Sequence, residues 1–260
     1  MIKKNIKGIT LIEILIGIVI TSIIMGAMLT SYNVVNGSYA QVIDKASIGN
    51  STRAFSEMLL RDIRMAGYKY FDDNLITETA DEMDIPIEII KNEGVCCDTL
   101  TTVYGDFDRN LVGDERYIRY KIQYSFQPNP DENGVFQILK SKQKWNDVDS
   151  EWSSSAEDRD TYTNEIVTDY VSDIEIVAKD NLGNIIDPPP SLTENRDKLY
   201  SIYTVEIFLT YRSKKNFYKS DKTRTIVSLY DSERNLEEDD KFLRESIILS
   251  AFTRNLEAFR

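Results

Sequence analysis

An uninterrupted apolar run near the start of the sequence constrains the rest of the chain. Residues 9–29 contain a single charged side chain, Glu13. As an α-helix this run would measure about 31 Å, which matches a bilayer hydrocarbon core of roughly 30 Å. Three lysines and no acid precede it, and such basic flanks stay on the cytoplasmic side. The sequence therefore predicts one membrane-spanning helix, with the rest of the chain on the non-cytoplasmic side.

Glu13 stands out in this run because an acidic side chain within a membrane helix costs free energy and usually has a function. Its neighbours Thr10, Ile14 and Gly17 carry no positive charge. We therefore expect no partner for the Glu13 carboxylate within its own helix. Only a cation at the same depth would offset the cost, so Glu13 is a candidate functional residue.

The order of these features is distinctive. A short basic leader, the segment Gly-Ile-Thr-Leu-Ile-Glu from Gly8 to Glu13, and a long apolar helix together resemble the class III signal of type IV prepilins and pseudopilins. The resemblance implies that a prepilin peptidase cleaves between Gly8 and Ile9 and methylates the new Ile9 amine. It also implies that Glu13 faces the Ile9 ammonium of a neighbouring subunit. The implied assembly residues are Thr10, Leu11, Ile12 and Glu13.

Two other interpretations of the N-terminal segment fit less well. An ordinary signal anchor would leave Glu13 unexplained. A secretory signal peptide has an apolar region of about 7–15 residues with its small-residue cleavage site behind it. Here the apolar run is longer and Gly8 precedes it.

Composition argues against catalysis and against nucleic-acid binding. The chain has no histidine, which removes Ser-His and Cys-His nucleophile pairs and the commonest zinc ligand. G-x-S-x-G, P-loop and G-x-G-x-x-G motifs are missing as well. Loss of residues 1–8 would remove three lysines, so the net charge of −12 would become −15. We expect no enzyme, no cofactor and no nucleic-acid partner, since phosphate binding requires basic residues.

The two cysteines, Cys96 and Cys97, are adjacent. Consecutive Cα atoms lie about 3.8 Å apart, below the usual disulfide span of about 4.4–6.8 Å. This spacing favours two thiols or small buried hydrophobic side chains over a vicinal disulfide.

Helical periodicity continues beyond the apolar run. Apolar residues recur at spacings of three and four as far as residue 66, no proline occurs before Pro86, and Gly67 is a plausible stop. We expect one helix from Ile9 to about Ala66. The predicted organisation is a leader peptide (1–8), a membrane or filament-core helix (9–30), an amphipathic second half of the helix (31–67) and a globular β-rich head (68–260).

The head is predicted to be an antiparallel sheet. Residues 117–126 alternate strictly between apolar and polar side chains, and a turn at 128–134 joins them to a returning strand. Pro86 suggests that the first strand lies at an edge. We interpret 147–164 as a polar surface loop, 212–224 as a solubilising basic patch after an edge strand, and 237–240 as a solvated acidic loop. The predicted strands are 85–90, 100–104, 117–126, 135–145, 166–177, 200–211 and 247–252.

A weak calcium-site candidate lies between the second and third of these strands. Asp106, Asp108, Asn110 and Asp114 place oxygen ligands at alternate positions. An EF-hand loop has glycine at position six and glutamate at position twelve. This segment has Leu111 and Tyr117 there instead, so a solvated turn is favoured over a calcium site.

Four segments resemble the PilW family of minor pilins: Arg61 to Tyr68, Val171 to Ile176, Val205 to Ser213, and Arg244 to Asn255. The resemblance implies an α+β type IV pilin-like fold, with a long N-terminal helix packed on an antiparallel sheet. It implies a minor pilin of a type IV pilus-like machine, acting in filament initiation or in the tip complex.

Partners and location follow from the same resemblance. The implied partners are other minor and major pilins through the N-terminal helix, the prepilin peptidase and an inner-membrane assembly platform. The protein would cross the inner membrane once before assembly and then enter a pilus or pseudopilus at the cell surface. Two alternatives stay open: a minor pseudopilin of a type II secretion system, and a tip adhesin or other ligand-binding minor pilin.

Overall fold

The computed structural model describes residues 9–68, 85–92, 96–107, 112–113, 116–146, 149–155, 160–191, 196–228, 230 and 234–257. The chain divides into two compact units, with the boundary between Ala46 and Ser47. Helix α1, Leu11–Met65, is a single helix of 55 residues that contributes to both. Its bounds agree with the prediction because no proline interrupts it and its glycines only lower helix propensity.

Within the second unit, α1 buries one face. Ile48, Phe55, Leu59 and Ile63 follow each other at intervals of seven and four residues and are buried. Side chains at such spacings lie on one side of a helix. They share the hydrophobic core with apolar residues of the sheet. The predicted amphipathic stripe therefore packs on the head only from Ile48 onward, and its earlier members Val35, Tyr39 and Val42 are exposed.

The head is built on an antiparallel sheet of eight strands. Its order is β1-β2-β3-β4-β6-β7-β10, with β5 paired to β4, and β8 and β9 form a separate two-stranded sheet. A 3₁₀ helix, Arg196–Ser201, precedes β7, and a short helix α2, Arg254–Glu257, follows β10. The strands are β1 Ile87–Ile90, β2 Thr99–Phe107, β3 Tyr117–Pro128, β4 Phe136–Asn146, β5 Glu151–Ser153, β6 Tyr162–Lys179, β7 Thr204–Arg212, β8 Lys222–Ile226, β9 Leu236–Asp240 and β10 Arg244–Phe252.

The sequence-based fold class is confirmed: a long N-terminal helix and an antiparallel sheet. The predicted hairpin is β3–β4, in which Phe126 pairs with Ile138 and Tyr120 with Lys144. Its turn ends at Gly134, whose φ is +72°. Ile118, Tyr120, Ile122 and Tyr124 are buried as the alternation requires. The first strand lies at a sheet edge, as Pro86 indicated.

Two stretches that were predicted as loops, 237–240 and 147–164, contain strands. Their charged and polar sequences lack the regular alternation of apolar residues by which a strand is recognised. The acidic run 237–240 belongs to β9, which pairs with the basic strand β8, so that Lys222 lies opposite Asp240 and Arg224 opposite Glu238. Opposite charges directly across two strands stabilise the pair. The polar stretch 147–164 contains β5 and the beginning of β6, and Trp152 pairs with Trp145 across β4 and β5.

In the interpretation of residues 212–224 as a solubilising basic patch after an edge strand, the edge strand was wrong, while Lys214, Lys215 and Lys219 are exposed as expected. β7 is covered by β10 along its whole length, so β7 is not an edge. Arg212 is buried and its guanidinium pairs with Glu132, in the β3–β4 turn. Tyr200, expected to begin this strand, lies instead in the 3₁₀ helix Arg196–Ser201.

β6 changes partners along its length. Its first half pairs with β4 as far as Val171, and its second half pairs with β7 from Val171 to Lys179, with register shifts on both sides. Tyr170, at this position, has a φ of +58°. Bulges of this kind bend a strand and increase its twist. β6 therefore connects two parts of the sheet.

Candidate functional site

The first turn of α1 is closed by two residues of the predicted assembly segment. The backbone N–H of Glu13 lies 3.4 Å from Thr10 Oγ1, and the backbone N–H of Thr10 donates to Glu13 Oε2 at 2.8 Å. The Thr10 hydroxyl also donates to Oε2, at 2.9 Å. A threonine at the N-cap and a glutamate three residues later form a capping box. It gives the Thr10 N–H an acceptor, and the Glu13 N–H also donates to the Thr10 carbonyl at 3.1 Å.

This arrangement corrects the expectation that Glu13 has no partner in its own helix. Neutral groups can also donate to a carboxylate, and Thr10 supplies two such donors. Both contacts use Oε2, and no described residue donates a hydrogen bond to Oε1. A carboxylate accepts several hydrogen bonds, so Glu13 has capacity for another donor while it caps the helix.

The surface around this turn is apolar. Every residue from 9 to 40 is exposed, and the most apolar window of 18 residues in α1 has a mean hydropathy of 2.4 with none of it buried. Ile9 is 76% and Leu11 82% exposed. The described residues thus contain one helix long and apolar enough to cross a membrane. Gly8, the predicted cleavage residue, lies outside the described residues.

The calcium candidates are only partly described. Asp106 is exposed near the end of β2, and its Oδ1 accepts the backbone N–H of Phe107 at 2.8 Å. Asp108, Asn110 and Asp114 lie outside the described residues.

Inside the head, Asp62 fixes the end of α1 to the sheet. Its Oδ2 accepts the hydroxyl of Tyr124 at 2.5 Å and lies 2.6 Å from the Lys140 Nζ. All three residues are buried. Burial, and then the Asp62 charge, raises the pKa of Tyr124 far above its ordinary value. Asp62 belongs to the segment that resembles the PilW family, and its observed role is structural.

A groove of about 620 Å³ opens beside this group, between α1 and strands β2, β3, β4 and β6. Arg61, Lys142, Tyr104, Asp160 and Glu165 are among its lining residues. Burial lowers the pKa of Lys142, and Asp160 partly opposes the shift. Charges of both signs line the groove, so it presents no single charged surface.

The last turn of α1 receives a cap from the C-terminal part of the chain. Asn255 Nδ2 donates to the carbonyl of Arg64 at 2.7 Å, a carbonyl that the helix itself leaves without a partner. Gly67 has a φ of +75°, and a Cβ there would lie 2.9 Å from Leu256 Cδ2. The Gly67 N–H donates to the carbonyl of Val103 at 2.8 Å. Two segments singled out by the resemblance, 61–68 and 244–255, therefore meet at this helix end.

Sequence reasoning missed a buried ionic group around Arg234. The guanidinium donates to Asp98 Oδ1 at 2.5 Å, to Asp173 Oδ1 at 2.6 Å and to the carbonyl of Ile174 at 3.1 Å. Asp98 also accepts the backbone N–H of Ile176 at 2.8 Å. The group thus satisfies backbone atoms of β6 beyond its pairing with β4. Asp173 and Glu175, which alternate with Ile174 and Ile176 in the second half of β6, were the available indication that a buried cation is needed.

The charges of this group shift each other's titration. Burial raises the pKa of Asp173, and Arg234 opposes that shift. Burial alone would lower the pKa of Arg234, but Asp98 and Asp173 outweigh it and raise that pKa above its ordinary value. Arg234 therefore stays protonated while it is buried.

Cys96 and Cys97 form a vicinal disulfide, so the expectation of two thiols was wrong. The peptide bond between them is cis, and their Cα atoms are 3.1 Å apart, closer than the trans spacing assumed from the sequence. Their sulfur atoms and an Asp173 carboxylate oxygen lie within 4.8 Å of one another. Metals bind the thiolate form of cysteine, so these three residues do not form a metal site while the disulfide is intact.

Comparison with known proteins agrees with this description. Residues 3–29 match the model of the prokaryotic N-terminal methylation motif. No curated protein sequence is significantly similar to the chain. Four chains of solved structures are significantly similar in fold. One is a type IV-like pilin from Thermus thermophilus, with 10% sequence identity and a TM-score of 0.51 over 80% of this chain and 96% of that one.

These findings establish the general class of the protein. The chain carries a prepilin-type methylation motif and has a type IV pilin-like fold. The motif and the fold together indicate a structural protein rather than an enzyme.

Proposed function

We propose that this pilin-like protein is a minor pilin of a type IV pilus-like machine, acting in filament initiation or in the tip complex. The observation that carries the proposal is the methylation motif over residues 3–29 at the start of a fully exposed apolar helix segment. Exposed apolar surface of this extent needs lipid or other protein to cover it. Lipid would cover this surface while the subunit is anchored in the membrane, and the helices of other subunits would cover it in the filament core.

The proposed mechanism is processing followed by assembly. A prepilin peptidase cleaves between Gly8 and Ile9 and methylates the new amine. The subunit then leaves the membrane as its apolar helix packs against those of other pilins. Glu13 Oε2 remains held by Thr10, and Oε1 accepts the Ile9 ammonium of a neighbouring subunit. An ion pair that is excluded from water is favourable only when each charge has its counter-charge. The contact would therefore favour one alignment of the two helices along each other.

The assignment to the minor class is supported by the PilW-like segments. Residues 61–68 carry the buried Asp62 and the Gly67 turn, and residues 244–255 carry β10 and Asn255. These segments build the helix–sheet junction of the head.

Mass spectrometry of the mature N-terminus tests the processing step. We expect Ile9 with one added methyl group at the N-terminus. Gly8→Leu should leave uncleaved precursor in the membrane. Gly17→Leu is the matched control, because a side chain at Gly17 meets nothing within 4 Å and lies beyond the cleavage site; it should be processed normally. Retention of Met1 in assembled filaments would overturn the prepilin assignment.

A deletion strain separates the pilus role from the type II secretion role. Loss of surface filaments with normal protein secretion supports the minor pilin. Loss of secretion with normal filaments would instead assign the protein to a pseudopilus. Complementation with the full chain is the control in both assays.

A further inference from the structure

The groove between α1 and strands β2, β3, β4 and β6 has a fixed floor. Its volume of about 620 Å³ falls within the range of about 300–1,000 Å³ that is typical of ligand sites. Ile122, which lines it, is buried. The buried Asp62 beside it binds both Tyr124 and Lys140. These contacts come from the chain itself, so the groove is preformed.

Lys142 places an unpaired ammonium in this groove. Its side chain is half-buried, and its Nζ lies 4.1 Å from the centre of the Tyr120 ring. Within the part of the chain that the structure describes, Lys142 forms no ion pair and donates no hydrogen bond. Burial lowers the pKa of this amine, and an anion beside it would favour the charged form again.

Arg61 supplies a second cation, from the helix wall of the groove. It is exposed, and it forms no ion pair with any residue that the structure describes. Besides burial, the Arg61 charge lowers the pKa of Lys142, so the two cations lie near each other. Two cations without partners therefore share this groove, although the chain as a whole has a net charge of −12.

Two carboxylates line the same groove. Glu57 lies on α1, one turn before Arg61. Glu165 lies on β6, opposite Lys140 of β4. With about 3.3 Å per residue and about 4.8 Å between strands, the Cα atoms of Lys142 and Glu165 are about 8 Å apart. Neither glutamate forms an ion pair with a described residue, so opposite charges share the groove without meeting.

The charges on the two walls run in the same direction. Asp62 of α1 lies beside Lys140. Just beyond the end of α1, the Gly67 N–H donates to the carbonyl of Val103, in the row of paired residues that contains Gln143. The direction toward the end of α1 is therefore also the direction from Lys140 to Gln143 along β4. On each wall the cation lies nearer the end of α1 than the carboxylate does.

Arg61 and Lys142 thus form a cationic end of the groove, and Glu57 and Glu165 form an acidic end. We propose that the groove binds a short peptide with free termini, with its carboxylate at the cationic end and its ammonium at the acidic end. Charge-assisted hydrogen bonds would hold both termini. Charges about 8 Å apart are spanned by two to three extended residues, at about 3.5 Å each. Dipeptides and tripeptides therefore match the spacing.

Calorimetric titration of the full chain in detergent with four forms of trialanine tests the proposal. Free trialanine carries both charges, and N-acetyl-trialanine carries only the carboxylate. Trialanine amide carries only the ammonium, and N-acetyl-trialanine amide carries neither charge. We expect free trialanine to bind most tightly. Blocking either terminus should weaken binding at least about tenfold, because it removes a charge-assisted hydrogen bond.

Two substitutions assign each terminus to its end of the groove. In Lys142→Met, the preference for free trialanine over its amide should fall to about threefold or less. In Glu165→Gln, the preference for free trialanine over its N-acetyl form should fall in the same way. Lys144→Met is the matched control, because it removes the same charge two residues further along β4, at a residue that does not line the groove. It should keep both preferences.

The outcomes are distinct. A preference for both free termini that depends on Lys142 and Glu165 supports the peptide site. No binding of free trialanine at millimolar concentration, equal binding of all four forms, or unchanged preferences in both variants overturns it. Unaltered binding of the amide by Lys142→Met shows that this variant is folded. Because the isolated chain is used, a failure here leaves the proposed minor pilin function intact, and a failure of that function leaves this site testable.

Discussion

The two parts of helix α1 differ in how their apolar side chains are distributed around the helix. Residues 11–40 are exposed on every side, and as far as Leu29 they carry large apolar side chains all round. Residues 47–65 bury one face, through Phe55, Leu59 and Ile63, and keep the other polar. The backbone hydrogen bonding of the two parts is the same. Only the distribution of apolar side chains differs. It decides whether the apolar surface of the helix is covered by its own chain or by other molecules.

A helix that is apolar all round belongs in lipid or in the interior of an assembly, whereas an apolar stripe belongs on a protein core. The charged residues follow the same division. Asp62, in the second part, finds Tyr124 and Lys140 within the head. Glu13, in the first part, accepts side-chain and backbone hydrogen bonds from Thr10 and from no other described residue. Substitutions in the two parts should therefore affect different measurements.

The largest effect on head stability should come from Asp62→Ala. Removing this carboxylate leaves the Lys140 ammonium buried without its counter-charge, which costs about 4 kcal/mol. Urea unfolding of the full chain in detergent, followed by tryptophan fluorescence, measures the free energy of unfolding, since Trp145 and Trp152 both lie in the head. Asp62→Ala with Lys140→Met should recover at least half of the loss. A double variant no more stable than the single one would show that the ion pair is not the cause.

The next effect compares an isoleucine in each part of the helix. Ile63→Ala should lower the free energy of unfolding by about 3 kcal/mol, because Ile63 is fully buried and its removal leaves a cavity. Ile16→Ala makes the same chemical change at a side chain that is 52% exposed, and it should change head stability by less than about 0.5 kcal/mol. Similar losses for both would contradict the division of α1 into two parts.

A smaller effect is expected where α1 ends. Gly67→Ala places a side chain at a φ of +75° and 2.9 Å from Leu256 Cδ2, and should cost about 2 kcal/mol. Gly49→Ala is the control within the same helix. It meets nothing within 4 Å and should be neutral or stabilising by up to about 1 kcal/mol. The same unfolding titration checks both variants. A Gly67→Ala protein as stable as the wild type would show that neither the positive φ nor the contact with Leu256 disfavours a side chain there.

Substitutions of Glu13 should have the smallest effect on the head and a clear effect on assembly. Glu13→Ala and Glu13→Gln should leave Gly8 cleavage intact and head stability within about 0.5 kcal/mol. Glutamine still fits a capping box but carries no charge, so it separates capping from ion pairing. If the charge binds a neighbouring subunit, both variants should lose co-purification of partner pilins, and Glu13→Lys should lose the most. Wild-type co-purification by Glu13→Gln would assign Glu13 to capping alone.

Local patterns were sufficient to predict most of the fold. The apolar run, the helical stripe and the alternation in 117–126 each follow from the period of a single element, and the helix and the β3–β4 hairpin are where those periods place them. The prepilin-like segment around Glu13 is local too, and a family model matches the residues that carry it. Cleavage at Gly8 remains a prediction.

The rest depends on contacts between distant parts of the chain. Arg234 binds Asp98, which is 136 residues away in the sequence, and Asp173, which is 61 residues away. No sequence spacing predicts a contact over such separations. The β8–β9 ladder was missed because its strands are recognised by opposite charges rather than by apolar alternation. The vicinal disulfide was missed because the prediction applied the Cα span of ordinary disulfides to two adjacent residues.

The cap on α1 also sets an order of events during biosynthesis. Asn255 and the Arg64 carbonyl that it caps are 191 residues apart. At roughly 5–20 residues per second, the ribosome makes the helix about 10–40 s before it makes the cap. During that interval the apolar segment of α1 can already enter a membrane, while Asn255 and Leu256, which contact the end of the helix, have not yet been made. A chain truncated before residue 255 would still carry the whole apolar segment of α1, but the Arg64 carbonyl would lack this donor.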